Sequence, residues 1–188
     1  ALYGPKLDFM FKDALGRETQ LATIQLDFAM PKRFGLAYTD KHDKEKPPVM
    51  IHRAILGSFE RFIMLLIEHT AGRFPIWLAP EQVRLITVNQ EKPAVEFASK
   101  MADQARKLGL RLEVDNSNES VGKKIRAAEL AKVPYTVVVG DKEIGSGEVT
   151  PRVRSDIAVS DEPTSLGAEE FLKTVAHEAK ARITKTSI

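Results

Sequence analysis

The sequence predicts an α/β chain, α+β overall, in two parts: a strand-rich antiparallel part over residues 1–80 and a mixed-sheet α/β part over 81–188. Two observations predict this. The first fifty residues alternate short β-prone runs with turn signals, which is the pattern of hairpins. Beyond residue 80, strand-like and helix-like runs alternate, the pattern of a parallel or mixed sheet covered by helices.

Taken in order, residues 6–12, a turn at Asp13-Ala14-Leu15-Gly16-Arg17 and residues 18–28 form a hairpin. In its second arm Gln20, Ala22, Ile24, Leu26 and Phe28 point one way and Leu21, Thr23, Gln25 and Asp27 the other. Polar and apolar groups occur on both sides, as over a polar cavity. A charged loop at 40–46 leads through Pro47-Pro48 into a short strand at 49–53. From 54 to 71 the residues Ile55, Leu56, Phe59, Phe62, Ile63, Leu66 and Ile67 recur at spacings of three and four, predicting one amphipathic helix stopped by Gly72. The prolines of 74–80 keep that segment extended, and the domain boundary falls at about 80–82. Strands are then predicted at 83–88, 111–114, 135–139 and 147–153, and helices at 93–108, 120–132 and 168–182, with a turn at 141–145.

Composition narrows the classes. The 188 residues are 43% apolar, enough for a buried core, and 28 basic against 26 acidic residues leave a net charge of +2. Any nucleic-acid surface must therefore be a local patch. The absence of cysteine excludes a disulfide scaffold and fits a reducing compartment, so a cytoplasmic protein is expected. No apolar stretch approaches the roughly 20 residues that span a bilayer. The chain opens on Ala1-Leu2-Tyr3-Gly4-Pro5 without an initiator Met, and a fragment that begins inside a fold is expected.

Several segments go beyond pattern. The run Pro48-Val49-Met50-Ile51-His52-Arg53-Ala54-Ile55-Leu56-Gly57-Ser58-Phe59-Glu60-Arg61 closely resembles motif 3 of the threonyl-tRNA synthetases. Tyr3-Gly4-Pro5-Lys6 and Thr23-Ile24-Gln25-Leu26-Asp27-Phe28 resemble two further stretches of the same catalytic domain. Val133-Pro134-Tyr135, Val139-Gly140-Asp141-Lys142-Glu143 and Val149-Thr150-Pro151-Arg152-Val153-Arg154 resemble the anticodon-binding domain shared by several class II synthetases. The resemblance implies the end of a class II antiparallel-sheet catalytic domain (1–80) followed by a mixed-sheet anticodon-binding domain (81–188). The implied activity is that of a threonine–tRNA ligase as the full-length parent, the fragment alone being inactive.

Residue by residue, the resemblance implies that His52 is one of three protein ligands to a zinc ion that holds threonine, the other two lying upstream. Zinc accepts imidazole nitrogen and leaves positions open for an amine and a hydroxyl, which rejects valine. Arg61 matches an arginine that binds ATP phosphates, for which a planar guanidinium is suited, and Ser58 stands three residues before it. Gln20 and Thr23 match positions that touch ATP; Tyr3, Gln25, His52 and Ala54 match the threonine pocket; Lys6 matches a lysine near the reacting groups and, with Arg61, is a catalytic candidate. Mg²⁺ is expected with ATP. Thr19 stands where many members carry tryptophan, and Leu21-Ala22 replaces a frequent Cys-Gly.

In the second part Asn118, Arg126, Glu143 and Arg152 match positions that contact anticodon bases, where splayed bases meet planar donors and acceptors. Lys123, Lys124, Arg126, Lys132, Arg152 and Arg154 are candidates for the local basic patch. The implied partners are threonine-specific tRNA, ATP, threonine and, for the full-length protein, a second copy of itself. Two alternatives stand beside this: a stand-alone RNA-binding or accessory module of the anticodon-domain type, and another class II synthetase.

Overall fold

The structure, a computed structural model, describes residues 2–160 and 162–188. Its packing separates two compact units, Ala1–Gly72 and Arg73–Ile188.

In the first unit, β1 (Lys6–Lys12), β2 (Glu18–Asp27) and β5 (Met50–Ala54) form an antiparallel sheet in the order β1-β2-β5. The hairpin turn is held by Asp13, whose carboxylate accepts from the Leu15 and Arg17 amides and from Arg17 Nε. β2 ends where Asp27 Oδ1 accepts from the amides of Ala29 and Met30, which opens the short helix α1 (Met30–Arg33). The charged loop is tighter than expected: β3 (Tyr38–Thr39) pairs with β4 (Glu45–Lys46) around a turn in which Asp40 accepts from the His42 and Lys44 amides.

Helix α2 (Phe59–Thr70) starts five residues later than its periodicity predicts. The physical reason is the link before it. β5 runs through Ala54, Gly57 takes a left-handed conformation (φ +69°), and Ser58 is the N-cap, its Oγ accepting from the Arg61 amide. Ile55 and Leu56 extended the apolar spacing by coincidence.

The second unit is a four-stranded sheet in the order β10-β8-β6-β7. β6 (Val83–Thr87), β7 (Leu112–Asp115) and β8 (Tyr135–Val139) are parallel, and β10 (Arg152–Val153) joins β8 antiparallel. Val83, Leu85, Tyr135, Val137 and Val139 alternate onto one face, where Ala98 and Met101 of α3 (Lys92–Lys107) and Phe171, Leu172 and Val175 of α6 (Ala168–Ala181) complete the core. α4 (Val121–Leu130) packs against β6 and β8. Ile76 is fully buried in this core, and Arg154 and Arg111 bind the carbonyls of Phe74, Trp77 and Ala79, so residues 74–79 fold with the second unit.

Two predicted elements differ. Residues 141–145, read as a turn, begin helix α5 (Asp141–Ser146), where the Glu143 carboxylate accepts from the Gly140 amide. Residues 147–153, read as one strand, are two: β9 (Glu148–Val149) pairs with β11 (Leu166–Gly167), Thr150-Pro151 intervenes, and β10 then joins β8. The C-terminus is locked by a buried network in which Tyr135 Oη donates to Glu178 Oε2 (2.5 Å) while Glu178 Oε1 accepts from Thr186 Oγ1 and the Ser187 amide. Burial, reinforced by the Glu178 carboxylate, pushes the Tyr135 phenol far above its ordinary value.

Candidate functional site

Directly opposed residues of antiparallel strands project from the same side of a sheet. In the first unit Lys6 faces Gln25, which faces His52; Asp8 faces Thr23, which faces Ala54; Asp27 faces Met50. One side of the sheet therefore carries Lys6, Thr23, Gln25, His52 and Ala54 together, five of the residues picked out by the family motifs. The ring of Tyr3 lies 5.9 Å from that of His52.

Gln20 joins them against the expected alternation. Asp8 pairs with Thr23 but Met10 pairs with Gln20, so Phe9 alone opposes both Leu21 and Ala22. That is a β-bulge, and one extra residue returns Gln20 to the face of Thr23. Gln20 Nε2 and Thr23 Oγ1 accordingly reach the same atom, Asp8 Oδ1, at 2.8 and 2.7 Å. The replaced pair Leu21-Ala22 is the bulge itself. Gly57 fits against it: a Cβ at Gly57 would stand 2.8 Å from the Leu21 carbonyl oxygen. Arg61 Nη1 donates to the Gln20 carbonyl at 3.1 Å, and Gln20, Ser58, Arg61 and Thr19 line one open depression of about 660 Å³. The Ser58 hydroxyl oxygen serves as the helix cap, so beside the arginine it retains its O–H as donor.

Sequence reasoning missed two carboxylates. Asp8 binds Lys6 Nζ at 2.6 Å as well as Gln20 and Thr23, and the hydrogen bonds from Lys6 and Thr23 hold its carboxyl below the ordinary 3.8. Its position two residues from Lys6 on a strand was the available signal. Asp27, with no exposed side chain, accepts from His52 Nε2 at 2.8 Å. Burial pushes the Asp27 carboxyl up, but the His52 ring and the Met30 and Ala29 amides outweigh it and hold it below 3.8.

Asp27 only accepts, so His52 turns its Nε2 toward the carboxylate and presents Nδ1 on the other side, the placement of a metal-binding imidazole with a carboxylate behind it. No group of three His, Cys, Asp or Glu side chains gathers around a common point among the described residues. His52 fits one corner of a tetrahedral site and no more.

In the second unit, a cleft of about 750 Å³ opens beside β8 and β10. Glu143 and Arg152 line it together, with Ile125, Thr136, Lys132 and Arg73. Asn118, in the loop after β7, and Arg126, on α4, are exposed and lie outside its lining. The basic patch is smaller than expected. Lys124 is 2% exposed and donates to the main-chain carbonyls of Thr87 and Asp115. Arg154 spends its guanidinium on Asp156 and on the carbonyls of Lys132 and Phe74, and Lys123 pairs with Glu119.

Comparison with known proteins accords with both units. The family described as "tRNA synthetase class II core domain (G, H, P, S and T)" matches residues 1–70, and "Anticodon binding domain" matches residues 82–178. A threonine–tRNA ligase of Phocaeicola vulgatus is 46% identical over 185 residues, 98% of this chain and 28% of that protein. The solved RNA-binding domain of a Cryptosporidium parvum threonyl-tRNA synthetase superposes with a TM-score of 0.78 at 36% identity, over 94% of this chain and 43% of that one. A Giardia lamblia prolyl-tRNA synthetase shares the fold (TM-score 0.71) at 20% identity, covering 97% of this chain and 44% of that one. The chain thus spans little more than a quarter of the length of the curated relatives it matches. With a class II core segment followed by an anticodon-binding domain, and with its sequence following threonine–tRNA ligases across nearly its whole length, the chain belongs to the threonyl-tRNA synthetase family of class II aminoacyl-tRNA synthetases.

Proposed function

We propose that these residues are the C-terminal segment of a threonine–tRNA ligase, which condenses threonine with ATP to threonyl-adenylate and pyrophosphate and then transfers the threonyl group to the terminal ribose of its tRNA. The observation that carries this reading is the sheet face on which Lys6, Gln20, Thr23, Gln25, His52 and Ala54 converge. On this reading the first unit supplies part of the active site and the second unit, which takes in residues 74–79, the anticodon reader.

Arg61 binds the ATP phosphates through its planar guanidinium, next to Ser58, while Gln20 and Thr23 hold the nucleoside. Tyr3, Gln25 and Ala54 wall the threonine pocket, and Lys6 places a positive charge near the reacting groups, offsetting charge that develops as pyrophosphate leaves. Magnesium accompanies ATP. His52, backed by Asp27, is one of three protein ligands to zinc, which when bound takes the amino and hydroxyl groups of threonine into its open positions. Catalysis is positioning and charge stabilisation, with no covalent enzyme nucleophile. In the second unit Glu143 and Arg152 read anticodon bases at the cleft, with Asn118 and Arg126 beyond its rim. The full-length protein is a cytoplasmic homodimer on this reading.

A stand-alone RNA-binding module has no use for a catalytic face, and the class II core match over residues 1–70 speaks for the enzyme. Filter binding of threonine-specific tRNA to the full-length ligase tests the second unit. Arg152→Ala is expected to weaken binding by roughly ten- to a hundredfold, as for one lost charge-assisted base contact; equal affinities would refute its role. The isolated 188 residues are expected to give no ATP–pyrophosphate exchange.

A further inference from the structure

Asp8 lies outside the family motifs, yet its carboxylate touches three of the residues they single out. Oδ2 lies 2.6 Å from Lys6 Nζ, and Oδ1 accepts from Gln20 Nε2 and Thr23 Oγ1. These contacts have a chemical consequence. An ionised carboxylate only accepts hydrogen bonds, so it selects the orientation of each group that faces it. The Gln20 amide must turn its NH2 toward Asp8, which leaves its carbonyl Oε1 as the acceptor for anything else. The Thr23 hydroxyl gives its one proton to Asp8 and keeps only lone pairs. Thr23 is thereby left with lone pairs alone for a ligand, and Gln20 offers its Oε1 acceptor beside one spare amide hydrogen. Phosphate oxygens are acceptors too and have no use for these lone pairs; of the donors ATP offers, the adenine 6-amino group and the ribose hydroxyls, the hydroxyls stand nearer the phosphates, and Arg61 adjoins Gln20. Arg61, bonded to the main-chain carbonyl of Gln20 and carrying only donors, supplies the complementary chemistry for phosphates.

We infer that Asp8 is a positioning residue that sets the hydrogen-bond polarity of Gln20 and Thr23, so that this part of the sheet face recognises the ribose hydroxyls of the nucleotide, while its second oxygen holds Lys6. The β-bulge at Leu21-Ala22 is what makes one carboxylate sufficient, because it brings Gln20 and Thr23 to the same side. The inference rests on the proposed reading of the face as the nucleotide side of a synthetase.

The test is threonine-dependent ATP–pyrophosphate exchange by the full-length ligase with ATP, 2′-deoxy-ATP and 3′-deoxy-ATP. The wild type is expected to show a KM roughly five- to tenfold higher for at least one deoxy analogue, as for one lost hydrogen bond. Asp8→Ala frees Gln20 and Thr23 to reorient, and the discrimination is expected to fall to within about twofold of unity, on the same estimate. Asp8→Asn, nearly isosteric, keeps one acceptor for Gln20 and Thr23 but loses the charge on Lys6. It is expected to retain most of the discrimination while kcat falls about tenfold or more, as when a group acting in the transition state is displaced. A wild type that treats both analogues as ATP overturns the inference, as does Asp8→Ala with unaltered discrimination. Equal losses in both variants, with kcat and KM moving alike for all three nucleotides, leave Asp8 a purely structural carboxylate and also overturn it. Absence of threonine-dependent exchange in the wild type strikes at the underlying reading instead.

Discussion

By its type and its place after Arg152, Arg154 suits contact with RNA, and the structure gives it a different task. Its Nη1 donates to the Lys132 carbonyl at 2.6 Å, Nη2 to the Phe74 carbonyl at 2.7 Å, and the guanidinium grips Asp156 in a bidentate pair. The side chain is 10% exposed. Arg154→Ala removes two charge-assisted bonds to main-chain oxygens, each worth about 1.5 kcal/mol at the low end of the usual range. The Asp156 pair, partly open to water, adds less than about 1 kcal/mol. The second unit is thus expected to lose about 3 kcal/mol. The chain contains a single tryptophan, Trp77, which belongs to that unit, so its fluorescence reports the unit alone during urea unfolding. With a slope of about 1.5 kcal/mol per molar, the midpoint should fall by about 2 M. Arg154→Lys, which lacks the planar fork, should recover less than half of the loss. An unchanged midpoint combined with weakened tRNA binding would refute the reasoning and return Arg154 to the RNA surface.

Three further outcomes follow from the same contacts. Gly57→Ala places a Cβ 2.8 Å from the Leu21 carbonyl in a left-handed conformation, at about 1–2 kcal/mol from the backbone alone; hydrogen exchange in β2 and the first turn of α2 should quicken, and unchanged protection would contradict the packing described. Lys124→Met leaves the Thr87 and Asp115 carbonyls without their buried donor and should cost about 2 kcal/mol. It should leave the salt dependence of tRNA binding untouched; a slope reduced by about one would make Lys124 a phosphate contact. The carboxyls of Asp8, Asp13, Asp27 and Asp40 are all held below 3.8 by their partners. A depressed folded value stabilises the fold above the unfolded value, and this stabilisation disappears as pH falls through the folded one. The first unit should therefore be insensitive to pH between about 6 and 4.5 and weaken only below about 4, followed by circular dichroism; a transition centred above pH 5 would oppose the assigned pairings.

Much of the second unit was legible because its strands and helices bury one side each and so carry clean periods of two and 3.6. What escaped was decided by contacts distant in sequence. α5 is polar and contains a glycine, and it exists because Glu143 closes on the Gly140 amide. In the first unit the convergence of Lys6, Thr23, Gln25, His52 and Ala54 follows from strand alternation and register, whereas the place of Gln20 depends on a bulge that no alternation rule reveals. Lys124 and Arg154 show the limit of reading charge by residue type: each cation is spent on main-chain carbonyls that its own fold brings to it.

The central claim is that this sheet face serves a threonine-activating enzyme, and amino-acid-dependent ATP–pyrophosphate exchange by the full-length ligase addresses it most directly. Exchange is expected with threonine, none with valine, and its loss by about a hundredfold or more in Arg61→Ala, the scale of one electrostatic contact to the reacting phosphates. Exchange driven by proline or glycine, with threonine inert, would contradict it.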